Sequence, residues 1–483
     1  MIGITSFGVH IPKLRLSRKS IADANAWGNA GLKGLAKGER AMCNWDEDSV
    51  TMAVAAARDC LRGQDAATLR GVYMATTTPP FLDRQNSGIV AAALHLDHDV
   101  SSMDVTASQK AGTSGLIAAM HVAQGLDGGN LMFVAADKRR AKASSPQEMQ
   151  FGDGAAAVML GSKNVIAKLL ATHSRTVDFI DHHRGAGRDF DYYWEERWIR
   201  DEGYMKIVPP AVKSALDKAK LKPGDITHFV MPTIFPAVTR GMGKALGMKD
   251  EVVRDTLAGV CGETGVAHPL VMLVDAIQDA KAGDKIMVVG FGNGCDVLIF
   301  EVTKDKDKLT APRGTKGALA NRREETNYNK FLTFNELVIK DYGIRSEADM
   351  PTPMSALYRK NDMVLGLVGG LCTACKTPQF PKADVCVNPE CNKTGTQEDL
   401  VFADRKAHVM SWTADYLTFT LDPPGHYGMV EFDEGGRFMA DFTDVAVGDL
   451  DVGMPVELVF RVKSVDERRG FTRYFWKAVP VTA

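Results

Sequence analysis

The chain has 483 residues, 45% of them hydrophobic and 24% charged, with a formal net charge of -2. That is too long for one ordinary core, at roughly 100–200 residues per domain, and the near-neutral balance gives no electrostatic reason to expect nucleic acid or an anionic membrane as partner. The opening stretch Met1–Leu16 has no long apolar segment and no apolar run is long enough to span a bilayer, so a cytoplasmic protein with reduced cysteines is expected.

Asp48-Ser49 can cap a helix that carries Met52, Ala53, Ala56 and Cys60 near one face. The apolar run Val72–Ala75 reads as a strand. Gly112–Ala123 is a small-residue helix, Gly128-Gly129 breaks it, and Leu131–Val134 reads as a buried strand. The same order then returns. Pro210 opens a helix at Ala211–Ala219, and a strand follows at His228–Met231. The turn Cys261-Gly-Glu-Thr-Gly265 feeds an apolar helix through Leu273 and Ile277, followed by the strand Ile286–Val289. This repetition predicts a duplicated α/β domain whose strands all run parallel in buried sheet.

Residues 304–365 are rich in Lys, Arg, Glu and Asn and read as a connector, with an amphipathic helix over Phe331–Tyr342. After Asp399 come short alternating runs: Ala407–Thr413, Thr418–Thr420, Met429–Phe432, Val456–Val462 and Tyr474–Val479. Glycine and proline separate them, the pattern of a small antiparallel barrel. The expected division is 1–303, 304–365, 366–400 and 401–483.

Cys372-x-x-Cys375 and Cys386-x4-Cys391 form two short knuckles. Four thiolates close a tetrahedral zinc shell without water, which marks a structural zinc ion tying together a loop-rich stretch.

The stretch Cys372-Thr-Ala-Cys375-Lys-Thr-Pro-Gln-Phe-Pro381, with Cys386 and the later Gly453-Met-Pro-Val456, resembles the DUF35 family. In that family a rubredoxin-like zinc ribbon precedes an OB-fold. Such modules accompany thiolase-superfamily proteins, so the resemblance implies acyl-CoA or a thiolase-type partner. An OB-fold by itself would suggest nucleic acid. Here Trp412, Tyr416, Phe419 and Tyr427 stand beside Asp415 and Asp422 rather than basic residues, which argues against it.

Residues 1–303 resemble 3-hydroxy-3-methylglutaryl-CoA synthase and ketoacyl synthase III of the thiolase superfamily. The matching stretches are Asp46–Ala56, Lys110-Ala-Gly-Thr113 and Phe151-Gly-Asp-Gly-Ala-Ala-Ala-Val158. The fold implied for the whole chain is a duplicated thiolase fold, then a zinc ribbon, then an OB-type barrel. A coenzyme A thioester substrate and a homodimer, or a larger complex with a thiolase-type partner, are also implied.

The catalytic positions depart from that pattern. Gln109 stands where the family carries its nucleophilic cysteine, with Ser108 beside it. An amide cannot form an acyl-enzyme thioester. Thr77 or a neighbour replaces the synthase glutamate, and Met231-Pro-Thr233 replaces the histidine. The family's Gly-Asn-Thr appears as Gly262-Glu263-Thr264, so Glu263 is the main acid–base candidate. His268 follows it, as a second candidate or as a core or capping histidine. Cys261 and Cys295 are candidates for a displaced nucleophile or for ordinary buried thiols. Thiolase-like aldolases that work with a zinc-ribbon/OB partner also lack the cysteine. Their likeness implies aldol or retro-aldol chemistry on an acyl-CoA without an acyl-enzyme. A non-catalytic scaffold subunit and a Claisen condensation with a relocated nucleophile are the alternatives.

Overall fold

The structure is a computed structural model in which residues 2–341 and 353–481 are described. The chain forms two compact units. The first comprises Met1–Cys43, Asp48–Gly88 and Asp97–Val338, and the second comprises Asn44–Glu47, Ile89–Leu96 and Ile339–Ala483.

The first unit is organised by a nine-stranded sheet. Its strands are β1 (Gly3–His10), β2 (Leu69–Ala75), β3 (Ser101–Val105), β4 (Asn130–Asp137), β5 (Gly154–Gly161), β6 (Ala167–Thr176), β7 (His228–Val230), β8 (Lys285–Phe291) and β9 (Gly294–Val302). The spatial order is β7-β8-β9-β6-β1-β5-β4-β2-β3. Read outward from the central β1/β6 pair, the first half runs first, fifth, fourth, second, third strand. The second half repeats this as β6, β9, β8, β7 and lacks a full third strand. A single parallel bridge, Phe229 to Val253, stands in its place. The duplication is therefore present in the topology.

The expected all-parallel arrangement is corrected. β2 runs parallel to β3 and β4, and β7 to β8, but β5 is antiparallel to β1 and β4, and β9 to β6 and β8. The reason is local. Only Gly292-Asn293 joins β8 to β9, and so short a link cannot make a parallel crossover.

Helix α1 (Ser49–Cys60) starts where the sequence places its cap: Asp48 Oδ1 accepts from Thr51 N at 2.8 Å, and Thr51 Oγ1 accepts from Asp48 N at 2.8 Å. The helices α2 (Ala111–Gln124) and α4 (His268–Asp279) bury Leu116, Met120, Leu270 and Leu273 in one core cluster with Ile286 and Val288 of β8. The alternate β8 residues Met287 and Val289 face a second cluster with Val208, Val212 and Ala215 of α3 (Met205–Ala219). The period of two across β8 thus covers both faces of the sheet with helices.

Pro210 does not open α3. The helix starts at Met205, continues from a π-turn at Ile199–Tyr204, and holds Pro209 and Pro210 inside it. The expected helix over Phe331–Tyr342 spans Tyr328–Phe334 instead, and Tyr342 lies outside the described residues. Residues up to Val338 belong to the first unit, where Arg323–Glu325 pairs in parallel with Leu14–Leu16.

In the second unit, Val368–Cys372, Pro378–Gln379 and Gln397–Val401 form a three-stranded ribbon. A five-stranded antiparallel sheet follows, in the order Arg437–Asp441, Gly425–Phe432, Ala407–Asp415, Pro455–Asp466, Phe471–Pro480. A bridge between Phe442 and Ala478 brings its two ends together, as in a partly open OB barrel. Phe432, Phe460, Tyr474 and Trp476 fill its interior. The expected strand Thr418–Thr420 is absent. Asp415 accepts from Leu417 N at 2.7 Å and from Thr418 Oγ1 at 2.6 Å, folding that segment into a side-chain-capped turn. The strand Arg437–Asp441, which the sequence reading passed over, follows the Gly435-Gly436 turn.

No helix among the described residues is long and apolar enough to cross a membrane.

Candidate active site and metal centre

The first unit holds a cleft of about 520 Å³, measured out to its open mouth. Gln109, Arg139, Asp181, His182, Tyr193, Tyr204, Thr233, Glu263 and Phe291 are among the residues that line it.

Two glycine-bearing motifs build its floor by crossing. Glu263 N donates to Gln150 O at 2.8 Å and Gly152 N donates to Glu263 O at 2.9 Å. This contact leaves no room for side chains. A Cβ on Gly152 would lie 1.8 Å from the Cys261 carbonyl oxygen, and Gly262 adopts φ of +79° with Phe151 O in the way of any Cβ. The Phe151-Gly-Asp-Gly and Cys261-Gly-Glu motifs are therefore one structural device, and it fixes where Glu263 emerges.

The Glu263 carboxylate is held on both oxygens. Its Oε2 lies 3.2 Å from Arg139 Nη1, and its Oε1 lies 3.4 Å from Gln109 Nε2. Arg139 follows the end of β4 and is buried. Its Nη2 donates to Asp191 Oδ2 and to the Tyr193 hydroxyl, both at 2.6 Å, and its guanidinium lies 4.1 Å from the centre of the Phe151 ring. Burial opposes the charge on Arg139, but Tyr193, Asp191 and Glu263 hold its pKa well above the ordinary value. Burial raises the Asp191 carboxyl, and the Arg139 guanidinium more than reverses this, so it stays below the usual range. Burial pushes the Tyr193 phenol up. The result is a permanently charged guanidinium fixing one carboxylate in the cleft, with an amide beside it.

The sequence candidates part company here. Gln109 and Glu263 meet in the cleft, whereas Ser108 and His268 do not line it. Ser108 Oγ donates to Gly292 O at 3.2 Å. His268 is buried; its Nδ1 accepts from Thr264 N at 3.1 Å and its Nε2 lies 2.7 Å from Thr256 O. Both ring nitrogens are thus used in bracing the loop that carries Glu263, and burial holds the imidazole pKa below its ordinary value. Cys261 and Cys295 are buried, and burial pushes each thiol up to about 12, so neither supplies a thiolate near neutral pH. Thr77, at the expected glutamate position, donates from its N and Oγ1 to Asp137 at 2.7 and 2.9 Å. Pro232 and Thr233, at the histidine position, form a wall of the cleft.

Arg139, Asp181, His182 and Tyr193 escaped the sequence reading because no motif marks them. One signal was available for Arg139. Lys138-Arg139-Arg140 sits just past the carboxyl end of a buried strand, where open α/β sheets bind their ligands.

In the second unit, the sulfurs of Cys372, Cys375, Cys386 and Cys391 all lie within 4.8 Å of one another, with Cys375–Cys386 at 3.5 Å and Cys372–Cys391 at 3.9 Å. A tetrahedral ion with metal–sulfur bonds of about 2.3 Å sets its sulfurs about 3.8 Å apart, so the cluster fits a metal. The turns match as well. Lys376 and Asn392, each just after the second cysteine of a knuckle, have φ of 62° and 47°.

The chain pairs a first unit similar to proteins of the HMG-CoA synthase and synthase III type with a C-terminal OB-fold domain behind a cysteine ribbon. Residues 216–299 match the 3-oxoacyl-[acyl-carrier-protein] synthase III C-terminal family, and residues 400–461 match the ChsH2 C-terminal OB-fold domain. Hydroxymethylglutaryl-CoA synthase of Caldivirga maquilingensis is 27% identical over 350 residues, 71% of this chain and 99% of that protein. The enzyme of the same name from Methanothermobacter thermautotrophicus is 29% identical over 313 residues, 62% of this chain and 89% of that protein. Among solved structures, MvaS in complex with 3-hydroxy-3-methylglutaryl coenzyme A superposes with a TM-score of 0.60 at 20% identity, covering 71% of this chain and 94% of that one. Synthase III from Aquifex aeolicus gives 0.55 at 21% identity, covering 62% of this chain and all of that one.

Proposed function

We propose that the first unit binds an acyl-CoA thioester and makes or breaks a carbon–carbon bond of its acyl group by aldol or retro-aldol chemistry, without an acyl-enzyme. Relatives named hydroxymethylglutaryl-CoA synthase, and similar folds solved with coenzyme A or its thioester, support the substrate class. The observation that carries the reaction type is the fixed Glu263 carboxylate in a cleft lined by no cysteine. A retro-aldol step needs a base for the β-hydroxyl proton and a polar partner for the thioester oxygen, but no nucleophile. Glu263 takes the proton and Arg139 keeps its carboxylate in place. Gln109 is the polar partner: its Nε2 directs one hydrogen to Glu263 and has a second to donate to the thioester oxygen.

The four ribbon cysteines would hold zinc, whose closed thiolate shell supplies folding energy and no chemistry at the cleft. The reading is completed by a homodimer, as the resemblance implies, and by a cytoplasmic location.

Purified protein incubated with a panel of β-hydroxyacyl-CoAs, followed by intact mass and product analysis together, tests the reaction. Cleavage products with no acylated protein are expected, and Glu263→Gln should lower turnover by about 10²–10⁴-fold. A covalent acyl adduct would overturn the proposal. Binding with neither product nor adduct would replace it with a scaffold subunit.

A further inference from the structure

The aldol reading leaves one proton unaccounted for. Cleavage of a β-hydroxyacyl thioester moves two protons, one off the hydroxyl oxygen and one onto the α-carbon. Glu263 serves the first. The wall where the resemblance would place a histidine offers Pro232 and Thr233, which do not titrate in the working range.

Another segment brings a histidine in. The two-residue strands His182–His183 and Tyr192–Tyr193 pair antiparallel with His182 opposite Tyr193, and Trp194 N donates to Asp181 O at 3.0 Å. The hairpin is tied to the site at two points. Arg184 Nη1 donates to Asp191 at 3.0 Å and its Nη2 to Thr77 O, while Arg139 holds both Asp191 and the Tyr193 hydroxyl. This register lays the His182 ring flat on the Tyr193 ring, centroids 4.9 Å apart and planes 11° apart. His182 Nδ1 lies 3.0 Å from Asp181 Oδ2, and the two side chains are only 14% and 11% exposed. That approach is within ion-pair reach but off the hydrogen-bond direction, and catalytic hydrogen bonds are often poorly aligned before substrate binds. The nearby carboxylate favours a proton on Nδ1 electrostatically, which leaves Nε2 for proton exchange.

We propose that His182, oriented by Asp181 and braced on Tyr193, is the second proton-transfer group of the cleft, an inference that rests on the aldol reading. In cleavage, Glu263 takes the hydroxyl proton, the new carbonyl forms, and the carbon–carbon electron pair passes to the thioester enolate. The imidazolium of His182 then gives its Nε2 proton to the α-carbon. The proton held by Glu263 returns to His182 through solvent, so the enzyme is restored with no other reagent.

The two roles separate in an exchange experiment. Acetyl-CoA and propionyl-CoA are incubated with the full-length protein in D2O, and deuterium entering the α-position is followed by mass spectrometry. The wild type is expected to catalyse this exchange. His182→Gln should slow it at least about 100-fold, while Glu263→Gln should keep exchange and lose cleavage. Asp181→Asn should give an intermediate rate through kcat rather than KM. Added imidazole should restore exchange to His182→Ala, a rescue that a purely structural histidine would not show. Exchange by His182→Gln at the wild-type rate, or failure of imidazole to rescue, overturns the assignment while leaving the aldol reading intact. A wild type that neither exchanges nor cleaves overturns both.

Discussion

Two histidines show how placement decides what the same imidazole does. His182 lines an open cleft beside one carboxylate, whereas His268 is buried with both nitrogens occupied. Burial is the largest cause of the lowered His268 pKa, with Glu263 and the Thr256 carbonyl only partly offsetting it. The folded state therefore needs the neutral ring. The stability this contributes is complete above the unfolded value near 6.5 and is lost as pH falls below it, until the folded ring also protonates. Between pH 7.5 and 5.5 the wild type should lose more stability than His268→Gln, read from urea midpoints at each pH. An equal loss in both proteins would show that His268 does not titrate across unfolding. Both Glu263 and Gln109 were legible because they sit in motifs at known family positions. His182 and Tyr193 were not, because the hairpin that presents them is tied in place by contacts between residues far apart in sequence, Arg139 to Asp191 and Arg184 to Thr77, and two-residue strands carry no periodic signal; Arg139 was marked only by its place just past β4.

At the scale of elements, long and strongly patterned segments were the readable ones. The cap at Asp48, the small-residue helix α2, the buried strands β4 and β8 and the cysteine knuckles all follow from local chemistry. Local chemistry misled where a turn or neighbour decided the outcome. Asp415 turns Thr418–Thr420 into a loop, and the π-turn ahead of α3 carries the helix past Pro209 and Pro210. The knuckles yield a prediction at this scale. The ribbon has few buried apolar side chains near its cysteines, so a bound metal would supply much of its local stability. Chelation under reducing conditions should release one zinc per chain and raise amide exchange across residues 368–401, while protection in β4, β5 and β8 persists. Hydrogen exchange by mass spectrometry checks this, and unchanged protection over the ribbon would show that the four thiols stand without a metal.

On the scale of the whole molecule, the segment Asp46–Ala56 divides its labour. Asp48 starts α1 of the first unit, while Asp46 and Glu47 belong to the second. There Lys477 Nζ lies 2.8 Å from Asp46 Oδ2, and the Arg461 guanidinium pairs with Glu47 and, at 2.6 Å, with Asp444. All of these side chains are buried. Such a cluster adds little as a whole but is costly to break at one member. Lys477→Met should therefore destabilise the second unit by about 3–5 kcal/mol, and adding Asp46→Asn should recover part of that loss. Thermal unfolding of the three variants measures it, and strict additivity of the two changes would show that the pair is not coupled.

That cluster also bears on ancestry. A recombination event that exchanged only the portion after Val338 would import Lys477 and Arg461 while leaving Asp46 and Glu47 to the old gene. Unless the incoming partner were matched at those two positions, the hybrid would bury cations without counter-charges. The carboxyl-terminal module is thus not a cassette that can be shuffled freely, and its lineage should track that of the amino-terminal hundred residues.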